Sequence, residues 1–358
     1  MLKIAVSWML LLTTFFVMAK AKADPSQDLA VGLRERGGVH LTRSDEWPRG
    51  EVALTFDDGP HPSYTPKVLN LLKAHDLHAT FFVVGQNINR YTYPLIVRMR
   101  TEGHQIGSHS YNHDVKMATH EGRRAVEYIR GEHEVTQLLV NLAIIATSPD
   151  DFDQVYLEVF QQKSGRTISN ESLAIHWKDY NARFETVLTR LGFENGKYPY
   201  PVLYSRPPGG GPYLGQGSKT ARDRYDLALM QLGWINVLWH GGCWDPDPAR
   251  RREYDFILNS LVSQSKQGGI LVIHDYVRYD ALAAAIGRLS SNSNLSIVLL
   301  EPAVLRKYGS PATVLVAAMQ QTSGGPDSIA CDKQPPAPES IARQQLAKSS
   351  KAASGGRT

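Results

Sequence analysis

Two aspartates stand side by side where the first apolar run of the chain ends. Residues 52–56 are apolar or β-branched, and Asp57 and Asp58 follow them directly. Neighbouring side chains at a strand end point in different directions, so one carboxylate could bind a metal ion while the other handles a proton. The Gly59-Pro60 pair behind them is also typical of an ordinary turn, and the two aspartates alone do not separate these interpretations.

Two histidines four residues apart could bind the same ion. The spacing of His109 and His113 predicts two imidazoles on one face of a helical turn, which suits a divalent metal. The spacing alone is weak evidence, because a chain with 12 histidines forms such pairs by chance. With Asp58 as a third ligand, one position is left for water, which is how catalytic metal sites differ from closed structural ones.

Further polar side chains follow other apolar runs. Arg206 precedes two prolines that fix the backbone behind it, as is needed when a guanidinium must hold a carboxylate. Trp239 and His240 end one run, and His274 follows residues 270–273. A single histidine on an apolar strand is more often a core residue than a catalyst, but its place at the end of the run favours catalysis.

Strands and helices alternate in the pattern that would position these residues. From residue 50 onward, the alternation predicts an α/β protein with a largely parallel sheet, open or closed into a barrel. The carboxyl ends of such strands converge on one face, so we expect the polar residues to meet there. The predicted strands are residues 52–56, 79–84, 105–108, 202–205, 235–239, 270–273 and 296–300, and the predicted helices are 66–74, 93–102, 219–232, 250–266 and 279–291.

The polar residues at the strand ends follow each other along the chain as Asp57-Asp58, His109 with His113, Arg206 and His274. This order resembles that of the motifs of the polysaccharide deacetylase family, the NodB-homology domain of carbohydrate esterase family 4. The resemblance covers residues 50–302 and implies a distorted (β/α) barrel with fewer than eight strands. It also implies a metal-dependent hydrolase that removes acetyl groups from N-acetylated sugars. The matching motifs are Thr55-Phe56-Asp57-Asp58-Gly59-Pro60, His109-Ser110-Tyr111-Asn112-His113, Arg206-Pro207-Pro208-Gly209 and Leu271-Val272-Ile273-His274-Asp275.

The resemblance also implies a role for each matching residue. Asp57 corresponds to the catalytic base, Arg206 to the residue that orients it, and His274 to the general acid. The metal ligands would be Asp58, His109 and His113, binding zinc, or cobalt or nickel as in some members. The candidates for substrate or oxyanion contact are Gly209, whose backbone N–H would face the oxyanion, with Pro208, Tyr213, Trp239 and Trp244.

Three departures from the family's pattern stand out. The family often has tyrosine where Gly209 stands, and Tyr213 is the candidate to replace that aromatic wall. Its fourth motif places an aspartate four residues before a tryptophan, but the position four before Trp244 is His240. The candidates to support the acid are therefore His240, Asp245 and Asp247. The spacing from His113 to Arg206 is also longer than usual, which predicts a mostly helical insertion at about residues 121–196.

The amino terminus is typical of an export signal. A basic start, the apolar run 4–18 and small residues up to Ala23 predict cleavage after Ala23 and a periplasmic or secreted protein. An uncleaved anchor is the alternative, although a bilayer span needs about 20 apolar residues. In an oxidising compartment, Cys243 and Cys331 could pair or remain two separate thiols.

Composition excludes several classes of protein. The 358 residues are 42% hydrophobic with 2 cysteines, which excludes a disulfide-dense miniprotein, a collagen and a wholly disordered chain. Residues 1–23 hold three lysines and no acid, so the remaining chain is almost neutral and nucleic acid is not an expected partner. The expected organisation is a signal peptide at 1–23, a lead-in at 24–49, the domain at 50–302, its extension at 303–319 and a disordered tail at 320–358.

The sequence therefore favours an exported deacetylase that acts on a GlcNAc-containing glycan, with peptidoglycan as the first choice. Chitooligosaccharides, an exopolysaccharide and acetylated xylan are alternative substrates. A glycan-binding protein on a catalytically impaired deacetylase scaffold is the alternative of a different class. We expect a monomer without a stable membrane span once the signal is removed.

Overall fold

Nine parallel strands form one curled sheet in the part of the chain that the structure, a computed structural model, describes: residues 25–193, 196–215 and 217–322. Their order is β1-β6-β5-β4-β3-β2-β8-β7, and β9 pairs with β2. β1 and β7 are the two ends of this order, so the sheet is an open, distorted (β/α) barrel, as predicted. The expected number of fewer than eight strands is wrong, because two-residue segments such as β1 and β7 add to the sheet. The strands are β1 (His40–Leu41), β2 (Glu51–Asp57), β3 (Thr80–Val83), β4 (Gln105–Ser108), β5 (Tyr204–Ser205), β6 (Ile235–Val237), β7 (Gly241–Gly242), β8 (Gly269–His274) and β9 (Ser296–Ile297).

Helices connect and cover these strands. Five of the strands have three residues or more and four have only two. The helices are α1 (Pro25–Glu35), α2 (Thr65–Ala74), α3 (Tyr93–Thr101), α4 (Ala125–Ile145), α5 (Pro149–Phe160), α6 (Asn170–Arg190), α7 (Lys219–Leu232), α8 (Tyr254–Ser265), α9 (Tyr279–Ser290), α10 (Glu301–Tyr308) and α11 (Ala312–Thr322).

The longest strands, β2 and β8, are paired with each other. Every residue of β8 and all but the first of β2 are buried, which explains their continuous apolar sequence, because parallel strands are covered on both faces. Their register pairs Phe56 with Ile273 and Asp57 with His274. Two of the predicted site residues therefore lie side by side at the carboxyl end of the barrel.

Three predicted strands lose two or more residues at one end in the structure, and the strand predicted at 79–84 loses one residue at each end as β3. β5 contains only Tyr204–Ser205, because the N–H of Val202 donates to the side chain of Gln137 on α4 (3.1 Å) instead of to a neighbouring strand. The other two of the three are those predicted at 235–239 and 296–300, which become β6 and β9.

The helices α4, α5 and α6 lie between β4 and β5 in the sequence. α4 is buried along most of its length, and its apolar side chains share one core with those of β2 and β8. At Gly131, α4 passes so close to α6 that an added Cβ would lie 2.0 Å from the carbonyl oxygen of Leu173. We therefore propose that α4, α5 and α6, the helices of the predicted insertion, pack into the domain as part of its core.

Segments on both sides of the predicted domain also contribute to the fold. Residues 24–49 look like a simple lead-in from the sequence, but they supply α1 and the edge strand β1, which pairs with β6. The predicted extension at 303–319 covers most of α10 and α11 and the short link between them. Leu315 and Met319 of α11 are buried in the same cluster as Leu41 of β1.

Some predictions fall on residues outside the described ranges. The predicted signal at 1–23, most of the tail at 320–358 and Cys331 are among them. Cys243 is buried, and the alternatives for its pairing stay open. Within the described ranges, none of the helices has the length and hydropathy that a bilayer span requires.

Candidate active site

The carboxyl ends of four strands bring the candidate residues to one edge of the barrel. Asp57 ends β2 and His274 ends β8, while His109 follows β4 and Arg206 follows β5. β4 and β5 pair through Ser108 and Ser205, directly before His109 and Arg206. The parallel topology therefore produces the convergence that the sequence predicts.

Asp57 and Arg206 form a buried ion pair. The Nη1 of Arg206 lies 2.7 Å from Asp57 Oδ1, and both side chains are almost fully buried. The guanidinium also donates to the carbonyl of Val237 and to Thr55 Oγ1, and it lies over the ring of Phe82 (4.1 Å to the centroid). These contacts fix Arg206, which in turn fixes the orientation of the Asp57 carboxylate.

Asp58, His109 and His113 could hold a metal ion. Their ligand atoms lie within 4.8 Å of one another. The Oδ1 of Asp58 is 3.1 Å from His113 Nε2 and 3.6 Å from His109 Nε2. Ligands about 2.1 Å from a tetrahedral zinc ion are about 3.4 Å apart, so the separations observed fit such an ion.

The chemistry of this donor set fits a metal as well. The carbonyl of Arg206 can only accept, so the Nδ1 of His109, 2.8 Å away, carries the proton and Nε2 keeps its lone pair. Burial lowers the pKa of His109, which favours the neutral imidazole that metals bind. Burial acts against ionisation of Asp58, but the hydrogen bond from His113 and the nearby imidazoles outweigh it and hold the pKa of Asp58 below 3.8.

The two histidines meet through a loop and not through a helix. The spacing of four residues suggested one face of a helical turn, and this prediction is wrong. Ser110 and His113 have positive φ values of 65° and 61°, so the backbone reverses within the loop. The imidazole centroids of His109 and His113 still lie 5.0 Å apart.

His274 is held by Asp245 in a second buried pair. Its Nδ1–H faces Asp245 Oδ1 (3.0 Å), its backbone N–H donates to Oδ2 (2.6 Å), and its Nε2 faces Asp58 Oδ2 (3.9 Å). Burial acts to lower the pKa of His274. The hydrogen bond and charge of Asp245, together with the nearby Asp57 and Asp58, outweigh burial and raise the pKa to about 9.

Of the three candidates to support the acid, only Asp245 contacts His274. His240 Nε2 lies 3.1 Å from the carbonyl of Asp45, and its Nδ1 accepts from the N–H of Ile270, near the opposite end of β8. His240 is therefore excluded as a direct support. Asp247 accepts from the N–H of Ala249 (2.9 Å) and belongs to a local turn.

The structure places the five predicted substrate residues in different surroundings. Gly209 is exposed with φ of 62°, Trp244 is 69% exposed beside Asp245, and the Trp239 ring lies 5.6 Å from the Arg206 guanidinium. Pro208 is buried. Tyr213 binds Asp226 on α7 through its hydroxyl and packs against His40, so the structure directs it to α7 and β1 and not to the metal ligands.

Comparison with known sequences identifies the family. A sequence model described as polysaccharide deacetylase matches residues 44–140. Two peptidoglycan-N-acetylglucosamine deacetylases of Bacillus cereus are similar to this chain. One is 31% identical over 194 residues, 53% of this chain and 67% of the relative, and the other is 49% identical over 235 residues, 64% of this chain and 76% of the relative. The chain belongs to the polysaccharide deacetylase family.

This assignment confirms the resemblance read from the motifs and the prediction of an enzyme of that family. Solved structures of similar proteins include PdaA of Bacillus subtilis, a family 4 carbohydrate esterase, with 21% identity, a TM-score of 0.47 and coverage of 77% of this chain and 89% of that one. Another is the Xyl-CE4 domain of a xylanase from the hindgut metagenome of Trinervitermes trinervoides, with 21% identity, a TM-score of 0.46 and coverage of 74% and 94%.

Sequence reasoning missed a third buried acid at the site of this polysaccharide deacetylase. Asp275 follows His274 and binds the hydroxyl of Thr65 at the start of α2. Burial raises the pKa of Asp275 to about 7, with the hydrogen bond from Thr65 acting in the opposite sense. A Cβ added at Gly59 would lie 2.7 Å from the carboxylate of Asp275, so a side chain at position 59 would displace that carboxylate. The adjacent His274-Asp275 was a visible signal, but nothing in the sequence pointed to Thr65.

Proposed function

We propose that this polysaccharide deacetylase is an exported, metal-dependent hydrolase that removes N-acetyl groups from the GlcNAc residues of peptidoglycan. The observation that carries the proposal is the meeting of three units at one barrel edge. These units are the possible metal ligands Asp58, His109 and His113, the Asp57–Arg206 pair and the Asp245–His274 pair. The names of the two Bacillus cereus relatives support peptidoglycan GlcNAc as the substrate, and residues 1–23 support export.

A divalent metal ion, zinc in our proposal and cobalt or nickel as alternatives, would acidify water and polarise the acetyl carbonyl when held by Asp58, His109 and His113. Asp57 accepts a proton from the attacking water. Because Arg206 binds only Oδ1 of Asp57 (2.7 Å), Oδ2 is available to the water, and it lies 3.7 Å from His109 Nε2 on the side of the metal ligands. The backbone N–H of Gly209 is our candidate donor to the oxyanion.

His274 completes the reaction as the general acid. Its Nδ1–H is engaged by Asp245, so Nε2–H is the donor that faces the ligand set. Cleavage of the C–N bond sends a proton from Nε2 to the departing amine, and the products are acetate and a free amino sugar. A histidine with a pKa of about 9 is protonated at neutral pH and is ready to donate.

Acetate release tests the proposed function. We expect the purified protein to release acetate from peptidoglycan, to lose this activity with a chelator and to regain it with added zinc. A panel of peptidoglycan, chitooligosaccharides, an N-acetylated exopolysaccharide and acetylated xylan ranks the substrates. Activity that is highest on another glycan would contradict the substrate assignment, and metal-independent activity would contradict the metal assignment. Glycan binding without acetate release would show that the scaffold only binds.

Asp245→Asn is expected to move the alkaline limit of activity to lower pH. His274 must be protonated to act, so activity is present below its pKa and is lost as pH rises through about 9. Without the carboxylate, burial still lowers the pKa of His274 while the main opposing contact is gone. The measurement is the pH profile of kcat/KM.

Asp247→Asn is the matched control for this prediction. Asp247 lies two residues further along the same loop, and its carboxylate accepts from the N–H of Ala249. Its profile should coincide with that of the wild type. An alkaline limb that is unchanged in Asp245→Asn would show that another group sets the protonation of the acid.

A further inference from the structure

The loop that joins the two histidine ligands, residues 109–113, contacts a buried carboxylate on α4. The N–H groups of Tyr111 and Asn112 both donate to Oε2 of Glu132, at 2.8 and 3.0 Å. Glu132 is fully buried and lies between β4 and β5 in the sequence, in the segment that lengthens the spacing from His113 to Arg206.

The backbone contacts of this loop show what Glu132 supplies. A buried N–H needs an acceptor, because without one the protein is destabilised by the free energy of removing that N–H from water. The N–H groups of His109, Ser110 and His113 donate to β3, to Ser108 or to the loop itself. The two N–H groups in the middle of the loop donate to an oxygen on α4. The other contacts are His109 N–H to the carbonyl of Val83 (2.8 Å), Ser110 N–H to Ser108 Oγ (3.2 Å) and His113 N–H to Ser110 Oγ (3.1 Å).

The conformation of the loop makes outside support necessary. Ser110 and His113 are both in the left-handed region, which L-residues other than glycine adopt only when their surroundings impose it. The carbonyls of Ser110 and Tyr111 accept from the N–H groups of Gly85 and Gln86, at 3.0 and 2.8 Å. The loop is thus bound on its carbonyl side by residues 85–86 and on its N–H side by Glu132.

We propose that Glu132 is a positioning residue that holds the middle of loop 109–113, so that His109 and His113 meet Asp58 in the geometry a metal ion needs. Its role depends on the place of one acceptor oxygen and not on its charge. The inference rests on the proposed metal site, but it adds a residue of α4 that touches neither the metal nor the substrate.

The variants Glu132→Gln and Glu132→Asp separate position from charge. Glutamine keeps the side-chain length, and its carbonyl oxygen can accept from both N–H groups in the place of Oε2. Aspartate keeps the charge but withdraws the oxygen by about one C–C bond, roughly 1.5 Å. We expect the full-length Asp variant to bind Zn²⁺ about tenfold or more weakly than the wild type, and the Gln variant to stay within about threefold.

Zn²⁺ affinity is measured by competition with a chromophoric chelator, with the thermal unfolding of the metal-free protein measured beside it. Glu134 offers the matched control. It is a buried acid on the same helix, but it lies near Asn181 of α6 and Gln137 of its own helix. Glu134→Gln and Glu134→Asp can change the unfolding temperature, but both should bind Zn²⁺ as tightly as the wild type.

The outcomes distinguish this inference from the proposed function. If the wild type binds no divalent metal, the metal site fails and this inference with it. If the wild type binds zinc and the Asp variant binds it as tightly as the Gln variant, only the role of Glu132 is overturned. If Glu132→Asp does not fold, amide hydrogen exchange is measured in the wild type and in Glu132→Gln instead. Rapid exchange of the Tyr111 and Asn112 amides in both proteins would overturn the proposal.

Discussion

Asp57→Asn is expected to lower kcat by about 10²–10⁴-fold, the usual contribution of a general base, while the metal stays bound. Asparagine has almost the same shape as aspartate but cannot take a proton from water. The proposed ligands Asp58, His109 and His113 are unchanged in this variant. The measurement is the rate of acetate release at saturating substrate, with the zinc content of the same preparation determined by elemental analysis.

The stability of this variant needs its own control, because Asp57 is also the partner of Arg206. Both side chains are nearly inaccessible to solvent, and removing one member of a buried ion pair costs about 3–5 kcal/mol. The double variant Asp57→Asn/Arg206→Met removes both charges and should regain part of the lost stability. It should remain inactive. Wild-type turnover by Asp57→Asn would remove the base assignment, whatever the stability.

The convergence of the site could be predicted because it follows from topology. A parallel strand delivers its last residue to the same edge as its neighbour, and the ends of apolar runs are visible in sequence. The pairing of Asp57 with His274 in the register of β2 and β8 is the direct consequence. The start of β5 could not be predicted in this way, because the N–H of Val202 donates to Gln137 on a helix that is distant in the sequence.

The long-range partners of the site residues could not be predicted from the sequence. Asp245 was one of three candidates to support the acid, and only the course of the loop after β7 brings it to Nδ1 of His274. The sequence did not single out Glu132, because one acidic residue in a helix of polar and apolar residues does not show which loop its side chain contacts. The prediction of a helical turn at His109 and His113 was wrong, because the spacing of two ligands does not show whether residues such as Ser110 adopt positive φ values.

His113→Gly is expected to weaken Zn²⁺ binding by about 10²–10³-fold, the share of one ligand in a typical site, and to abolish acetate release at limiting zinc. Glycine is chosen because residue 113 has φ of 61°, where glycine is unstrained and alanine is not. The loss of affinity then reports the missing imidazole and not a distorted backbone. Chelator competition gives the affinity, and acetate release across a zinc titration gives the activity.

His120→Ala is the matched control, because His120 lies seven residues from His113 and pairs with Asp114 at a more exposed position. It should bind zinc as tightly as the wild type. If excess zinc restores the activity of His113→Gly, His113 acts mainly through affinity. If the variant is saturated with zinc but still inactive, His113 also sets the geometry in which Asp57 meets the water. Unchanged affinity in His113→Gly would contradict the ligand set itself, and with it the proposal that a metal at this edge of the barrel makes the acetyl group reactive.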